Sequence, residues 1–413
     1  MDIVYACCCG LDVHKESVVA TVRRRLDSGK VRQQTRTFGT MTQDLLELAD
    51  WLDAEGATHL AMESTGVYWK PIWNLLEERF EILLVNAQHI KHVPGRKTDV
   101  KDSEWIAQLL QCGLLRGSFV PPTPQRQLRE LTRQRRQLVH AKAAVANRIQ
   151  KVLEDANIKL GSVATDVLGV SGRDMLRAMV AGQDDPVALA ELARGKLRAK
   201  IPGLRLALRG RVTEHHRFLL GLFLDELSHL EGLIARLTAR IVEVLPSPFV
   251  EAIQRLATVP GIDVRAAENI VAEIGVNMDV FPTAGHLASW TGVCSGQRES
   301  AGKRQSGRTR KGNQWLRTTL VQVAWAASHT KRTYLSAQYR RLAGRRGKKR
   351  ALIALGHTIL VIAYHLLQRG TTYEDLGPEY FDRLDQDRLT RLLVRRLESL
   401  GHTVVLQPKE PAA

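Results

Sequence analysis

Hydrophobic positions change their rhythm along the chain, and the changes mark its parts. Ile3 to Gly10 is a nearly unbroken apolar run, the pattern of a strand buried on both faces. Ser17 to Val22 and Gln33 to Phe38 predict two further strands, joined by a turn near Ser28-Gly29. Leu45, Leu46, Leu48 and Leu52 recur at helical spacing over Thr42 to Asp53, with Thr42 placed to cap the first turn. His59 to Met62 reads as a short strand, Val67 to Arg79 as a helix, Phe80 to Val85 as a strand and Ser103 to Leu115 as a helix. A meander of strands, followed by strands alternating with helices, predicts an α/β domain with a mixed sheet over residues 1–120. Pro121-Pro122-Thr123-Pro124 breaks the pattern and predicts a linker.

Helical periodicity then takes over. Leu131, Leu138, Val145 and Val152 recur every seventh residue within a basic helix running from Leu128 to about Leu160. Leu220, Phe223, Leu227, Leu230, Ile234, Leu237, Ile241 and Val244 alternate steps of three and four, which is a heptad seam. Residues 121–250 are therefore expected to form a coiled-coil region, whose two long helices pair with each other or with another subunit. Residues 161–204, between those helices, carry further short helices and Pro202-Gly203 but no recognisable chemistry. A mostly α-helical third domain is expected over 251–385, with a tail over 386–413. In it, Thr258-Val259-Pro260-Gly261-Ile262 separates two helical stretches in the manner of a helix-hairpin-helix. Such a turn can present backbone N–H groups to a phosphate. Asp263 stands where a second glycine is usual, so a turn that only packs is equally expected. A glycine- and serine-rich basic loop, Gly292 to Gly312, precedes a helix from Asn313 to Ser328, a basic segment from Tyr334 to Arg350 and an apolar helix from Ala351 to Leu367.

Charge narrows the choice of partner. The 413 residues carry 60 Lys and Arg against 43 Asp and Glu, a net charge of +17. Residues 1–120 hold 14 basic and 16 acidic residues, whereas residues 298–350 hold 16 basic residues and one acid, Glu299. A polyanion is the expected partner, held mainly by the later segment. Arg298, Lys303, Arg304, Arg308, Arg310, Lys311, Arg345, Arg346, Lys348 and Lys349 are the candidate phosphate contacts. The five cysteines, Cys7, Cys8, Cys9, Cys112 and Cys294, form no metal-binding spacing. Cys7 to Cys9 are expected to pack as small apolar residues in a reduced, intracellular protein. The N-terminus lacks a basic leader and the first apolar run is too short for a signal or a span, so no membrane partner is expected.

Against this basic background four carboxylates stand out. Asp12 ends one apolar run and Glu63 another, which places both at strand ends, where ligands bind in α/β folds. Asp99 and Asp102, three residues apart, would share a helix face. Four acids held together without a cation would repel one another. Mg²⁺ or Mn²⁺ removes that cost, and two such ions about 4 Å apart are suited to phosphoryl transfer. A second constellation is Gly296-Gln297-Arg298-Glu299-Ser300-Ala301-Gly302-Lys303-Arg304. Ser300, flanked by cations, is either a phosphate contact or a nucleophile; no histidine lies nearby in sequence to act as its base.

The motifs Gly10-Leu11-Asp12-Val13-His14-Lys15, Glu63-Ser64-Thr65-Gly66, Gly95-Arg96-Lys97-Thr98-Asp99-Val100-Lys101-Asp102 and Glu299-Ser300-Ala301-Gly302-Lys303 occur in order. Together they resemble the DEDD transposases of the IS-one-ten type, also called serine bridge recombinases, over residues 3 to 385. The resemblance implies a RuvC-like or ribonuclease H-like α/β N-terminal domain, then coiled-coil helices and a helical transposase domain. It implies Asp12, Glu63, Asp99 and Asp102 as ligands of Mg²⁺, and Ser300 as a nucleophile that joins to a DNA phosphate. It further implies donor and target DNA, a structured non-coding guide RNA read by base pairing, a homodimer or homotetramer with a composite site, and work on the nucleoid of a prokaryotic cytoplasm. Two other readings remain at this point. One is a RuvC-like nuclease with water as nucleophile. The DEDD exonuclease form of it expects Asp-x-Glu at the first acid, where this chain has Asp12-Val13-His14. The other is a nucleic-acid-binding protein without catalysis.

Overall fold

A computed structural model describes residues 3–64, 66–86, 102–296, 298–300, 302–384 and 386–407; for 298–300, 303–306, 388 and 389 it describes the backbone alone. The chain divides into two compact units, Met1–Pro121 and Pro122–Ala413.

The first unit contains β1 (Cys7–Val13), β2 (Ser17–Arg25), β3 (Val31–Gly39), α1 (Thr42–Ala54), β4 (His59–Glu63), α2 (Trp69–Leu76), β5 (Glu81–Val85) and α3 (Asp102–Gln111). They build a mixed five-stranded sheet in the order β3-β2-β1-β4-β5. β1 to β3 form the antiparallel meander, and β4 runs parallel to both β1 and β5. β1 is central and covered on both faces, so it shows no polar alternation. Cys7, Cys9, Leu11 and Val13 meet Leu45, Leu48, Leu52, Ile72 and Leu76 of α1 and α2. Cys8 faces Trp105, Ile106, Leu109 and Leu110 of α3. Burial pushes the Cys8 thiol up to about 12 and that of Cys9 well above its ordinary value, so both stay protonated and act as apolar filler.

Two boundaries differ from the sequence pattern. β1 begins at Cys7, not Ile3, because the N–H groups of Val4 and Tyr5 donate to the carbonyl of Gln111 at the end of α3, at 2.9 and 3.3 Å. The N-cap of α1 is Met41, not Thr42: Asp44 Oδ2 accepts the Met41 N–H at 3.3 Å, and Thr42 is already helical.

The second unit is helical. α4 (Thr123–Asp155) starts within the proline-rich segment, with Pro122 as N-cap and Pro124 in the first turn. Proline is tolerated there because first-turn N–H groups lack helical acceptors. The predicted linker is therefore the start of the helix. After the short helices α5 (Val170–Val180), α6 (Pro186–Glu191) and α7 (Ile201–Ala207), α8 (Glu214–Val244) returns along α4. The ion pairs Lys142–Glu231, Arg148–Glu226 and His216–Asp155 climb one helix as they descend the other, so the two long helices are antiparallel partners within one chain. Val145, Ile149, Leu153, Leu220, Leu224 and Leu227 share a core with Met175, Leu176 and Met179 of α5.

α9 (Ser247–Ala257) and α10 (Val264–Ile274) flank the expected helix-hairpin-helix turn. Gly261 has φ +91°, and a Cβ there would stand 2.6 Å from Ala327 N and 2.8 Å from Val323 O. Val259 and Ile262 are buried, and Asp263 caps α10 by accepting the Ala266 N–H at 2.7 Å. The turn is thus packed against the neighbouring helix. α11 (Ala284–Thr291), the strands β6 (Arg298–Ser300) and β7 (Lys303–Ser306), then α12 (Gln314–His329), α13 (Tyr334–Arg346), α14 (Lys348–Arg369) and α15 (Gln386–Ser399) follow. α14 is long and apolar enough to cross a membrane. In this fold Ala351, Leu355, Ile359, Leu360 and Ala363 are buried, and α14 packs against α11, α12 and α13 as a core helix.

Candidate active site and nucleic-acid interface

The register of two parallel strands brings the first two acids together. Cys8 pairs with His59, and the pairing runs on to Leu11 and Met62. Asp12 and Glu63 come next on β1 and β4, at the carboxyl ends of neighbouring strands. Residues two apart share a face of a strand. Asp12 therefore lies on the face of Cys8 and Gly10, and Glu63 on that of Ala61. That face is the one α3 covers.

The approach of α3 is very close. A Cβ on Gly10 would stand 2.3 Å from Ser103 O and 2.4 Å from Ala107 N. Cys8 Sγ donates to Ala107 O at 3.6 Å, and Gln111 is tied to Val4 and Tyr5 beyond the start of β1. The helix therefore runs antiparallel to β1, and its N-terminus, opened by Asp102, lies at the end of the sheet where Asp12 and Glu63 stand. The buried Ser103 hydroxyl is 2.9 Å from that of Thr21, which is 2.9 Å from that of Thr35. This chain of hydroxyls pins the first turn of α3 to β2 and β3. Asp12, 27% exposed, accepts a hydrogen bond from Nε2 of His14 at 3.2 Å.

Three of the four expected acids thus share one end of one sheet face. Asp99 lies outside the described residues. Among the described residues, no three Asp, Glu, His or Cys side chains converge tightly enough to hold an ion. Three carboxylates at one sheet end are nevertheless the hard oxygen donors that Mg²⁺ or Mn²⁺ takes. The partners that hold this arrangement, Gly10, Ser103, Thr21 and His14, carried no sequence signal beyond their place in or near the motifs.

The glycine- and serine-rich segment is a β-hairpin. Ser300 pairs with Lys303 and Glu299 with Arg304, with a bulge at Arg298 and Glu299. Ser300 ends β6, and Gly302, at φ +73°, sits in the turn. The side chains of Arg298, Ser300, Lys303 and Arg304 lie outside the description. At the base, Ser295 bridges Thr309, and the Gly296 N–H donates to Arg308 O at 2.8 Å. Gly292 and Gly312 let the two ends cross: a Cβ on Gly312 would stand 2.5 Å from Gly292 N.

A network invisible to sequence motifs anchors the exit of this hairpin. Asn313 caps α12 by accepting the Leu316 N–H at 3.1 Å, and its amide donates to Glu273 Oε2 at 2.6 Å. The buried Glu273 receives Arg133 through both carboxylate oxygens, at 2.7 and 2.8 Å. Arg129 donates to the Glu273 carbonyl at 2.6 Å. Burial, helped by the charge of Arg133 and opposed by that of Glu273, lowers Arg129 to about 10. Arg133 and Arg136 lie over the Trp315 ring, 5.4 and 5.6 Å from its centroid. The network joins α4, α10 and α12, so only the fold brings its members together.

The remaining candidate cations are on the surface. Arg308, Arg310 and Lys311 are exposed beside the hairpin. Arg345 and Arg346 end α13, and Lys348 and Lys349 open α14 across Gly347, all exposed. Lysines at a helix N-terminus oppose the helix dipole, so that placement suits an anionic partner better than the isolated fold.

Comparison with known proteins defines the class. Residues 9–158 match the DEDD-type family model described as Transposase, and residues 253–340 match the model described as Transposase IS116/IS110/IS902 family. A relative from Pseudomonas aeruginosa, "Probable family 20 transposase", is 28% identical over 321 residues, covering 76% of this chain and 85% of its own. The "Transposase for insertion sequence element IS1111A" of Coxiella burnetii is 24% identical over 295 residues, 70% of this chain and 72% of its own. A 130-residue stretch, 30% of each chain, is 32% identical to the "Insertion element IS110 uncharacterized 43.6 kDa protein" of Streptomyces coelicolor. A mixed α/β unit with carboxylates at its strand ends, followed by a basic helical unit, is here the framework of a transposase. The chain belongs to the IS110 family of transposases.

Proposed function

We propose that the chain is the recombinase of an insertion sequence, cutting, exchanging and rejoining DNA strands through a divalent-metal carboxylate site and the nucleophile Ser300. The observation that carries the reading is the position of Asp12 and Glu63 on neighbouring parallel strands, beneath the helix that Asp102 opens. The strand order also fits a RuvC-like or ribonuclease H-like domain. Asp12, Glu63 and Asp102, joined by Asp99, would hold Mg²⁺ or Mn²⁺. A bound ion would supply positive charge to the phosphate oxygens as the strand is cut.

The chain's own groups do the rest. His14 holds the Asp12 carboxylate in place. The Ser300 oxygen forms a bond to phosphorus while the bond from phosphorus to a deoxyribose oxygen breaks. The serine proton leaves and the departing sugar oxygen gains one, so the phosphoserine bond stores the energy for rejoining. Arg298, Lys303 and Arg304 in the hairpin, with Arg308, Arg310, Lys311, Arg345, Arg346, Lys348 and Lys349, bind donor and target DNA and a structured guide RNA through their phosphates. A homodimer or homotetramer belongs to the same reading, as does action on the nucleoid.

Two measurements test it. Mn²⁺ affinity should fall at least about tenfold in Asp12→Asn and Glu63→Gln; unchanged affinity in both removes the metal site. With Mg²⁺ and labelled DNA, the wild type should form a covalent protein–DNA adduct that Ser300→Ala lacks. Free cut ends without adduct would assign the chain to the water-dependent nucleases instead.

A further inference from the structure

Trp325 differs from every other tryptophan in the chain. Of the seven, Trp51 and Trp105 are buried, and Trp69, Trp73, Trp290 and Trp315 are partly buried. Trp325, on α12, is 59% exposed. A ring of this size is ordinarily well covered in a folded protein.

Its surroundings are organised. His329, one turn along α12, lies against it with ring centroids 4.5 Å apart and planes at 43°. The Nδ1–H of His329 and the hydroxyl of Ser328 both donate to the Trp325 carbonyl, at 2.8 and 2.7 Å, which holds the imidazole beside the indole. Exposed Lys331 and Arg332 follow directly. Arg332 has φ +56°, a region in which glycine or asparagine is more usual. No acidic residue occurs between Glu299 and Glu374. The stretch of chain that carries the exposed ring is therefore cationic in sequence, and one carboxylate that reaches it from outside, Asp375, accepts the Tyr334 N–H at 3.0 Å.

We propose that Trp325 and His329 form a stacking platform for an unpaired base of single-stranded DNA, with Lys331 and Arg332 on the adjoining phosphates. Stacking suits any base, because every base has a π-face. Base faces inside a duplex are covered by their neighbours, so the platform selects strands that have been opened. A stretch of chain rich in Lys and Arg and without acids favours a polyanion over an apolar protein partner. α12 begins where the hairpin carrying Ser300 ends. Eleven residues at 1.5 Å each put Trp325 about 16 Å along the helix from Gln314. A strand crossing the platform would thus be held a short way from that hairpin. The inference rests on the reading of the chain as an enzyme that opens DNA strands.

The test uses the full chain with Ser300→Ala, so that no strand is cut, and fluorescein-labelled oligonucleotides of one length at one salt concentration. The strands are a thymidine run, an abasic run, a duplex and a uridine run. The protein should prefer the thymidine run to the abasic run by roughly tenfold. Adding Trp325→Ala should abolish that preference and leave both duplex affinity and the salt dependence unchanged, whereas Trp325→Phe should keep most of it. A preference that survives Trp325→Ala overturns the proposal, as does equal weakening on all four ligands. A Trp325-dependent preference seen with the uridine run alone overturns the assignment to DNA. Adduct formation at Ser300 is read separately, so failure of either idea leaves the other measurable.

Discussion

Gly10→Ala tests how the acids are placed. The added Cβ would lie 2.3 Å from Ser103 O and 2.4 Å from Ala107 N, where ordinary contact begins near 3.4 Å. Both clashing atoms are backbone, so no side chain can swing away. α3 must withdraw from β1 by about 1 Å, against the buried packing of Ile106, Leu109 and Leu110 and the Ser103–Thr21 bond. Overpacking of this kind costs about 1–3 kcal/mol, which for a unit of this size lowers the melting temperature by roughly 4 °C per kcal/mol. The functional loss should exceed the stability loss, because Asp102 moves with the helix. A displacement of about 1 Å at a reacting centre lowers rate by about a hundredfold. Thermal unfolding and Mg²⁺-dependent DNA cleavage, measured on the same preparation below its transition, separate the two effects. Wild-type melting together with wild-type cleavage would refute the close packing of α3 on Gly10 and the placement of Asp102 derived from it.

Four further outcomes follow from other parts of the fold. Gly232 lies exposed within α8 with open space around it, so Gly232→Ala should raise stability by about 0.4–1 kcal/mol in urea unfolding. Glu273→Ala strips the carboxylate from partly buried Arg129 and Arg133 and from Asn313, and should cost about 1–3 kcal/mol by the same measurement. The bidentate bond from Arg173, then Lys142, holds the Glu231 carboxyl down at about 2 against an ordinary 4.5. A carboxylate depressed in the folded state stabilises fully above its unfolded value and loses that contribution as pH falls through its folded one. The melting temperatures of wild type and Glu231→Gln should therefore converge between about pH 5 and pH 2. Replacing Arg345, Arg346, Lys348 and Lys349 together by alanine should flatten the dependence of DNA affinity on salt, by about 0.9 in log–log slope per lost phosphate contact.

The buried, central place of β1 was legible: an apolar run with no alternation is what a strand covered on both faces requires, and α1 and α3 supply the two covers. Asp12 and Glu63 could be singled out because each closes such a run. Their adjacency was not legible, since it depends on the parallel register of β1 and β4, which no local pattern encodes. The seven-residue recurrences left open whether α4 and α8 pair with each other or with another subunit; the ion pairs between them show that they pair with each other. The hairpin read as a loop because β6 and β7 are too short to show alternation, and its glycines serve a close crossing instead. Glu273 and Trp325 are single residues without motifs, one made notable by its burial among arginines and the other by exposure.

The central claim is that Ser300, acting with the carboxylate site, joins the protein to DNA. The most direct measurement is peptide mapping by mass spectrometry of the wild-type protein after reaction with its element-end DNA and Mg²⁺. The account predicts one nucleotide-bearing peptide, modified at Ser300 and absent from Glu63→Gln. Cut DNA with unmodified Ser300, or an adduct on another residue, would contradict it.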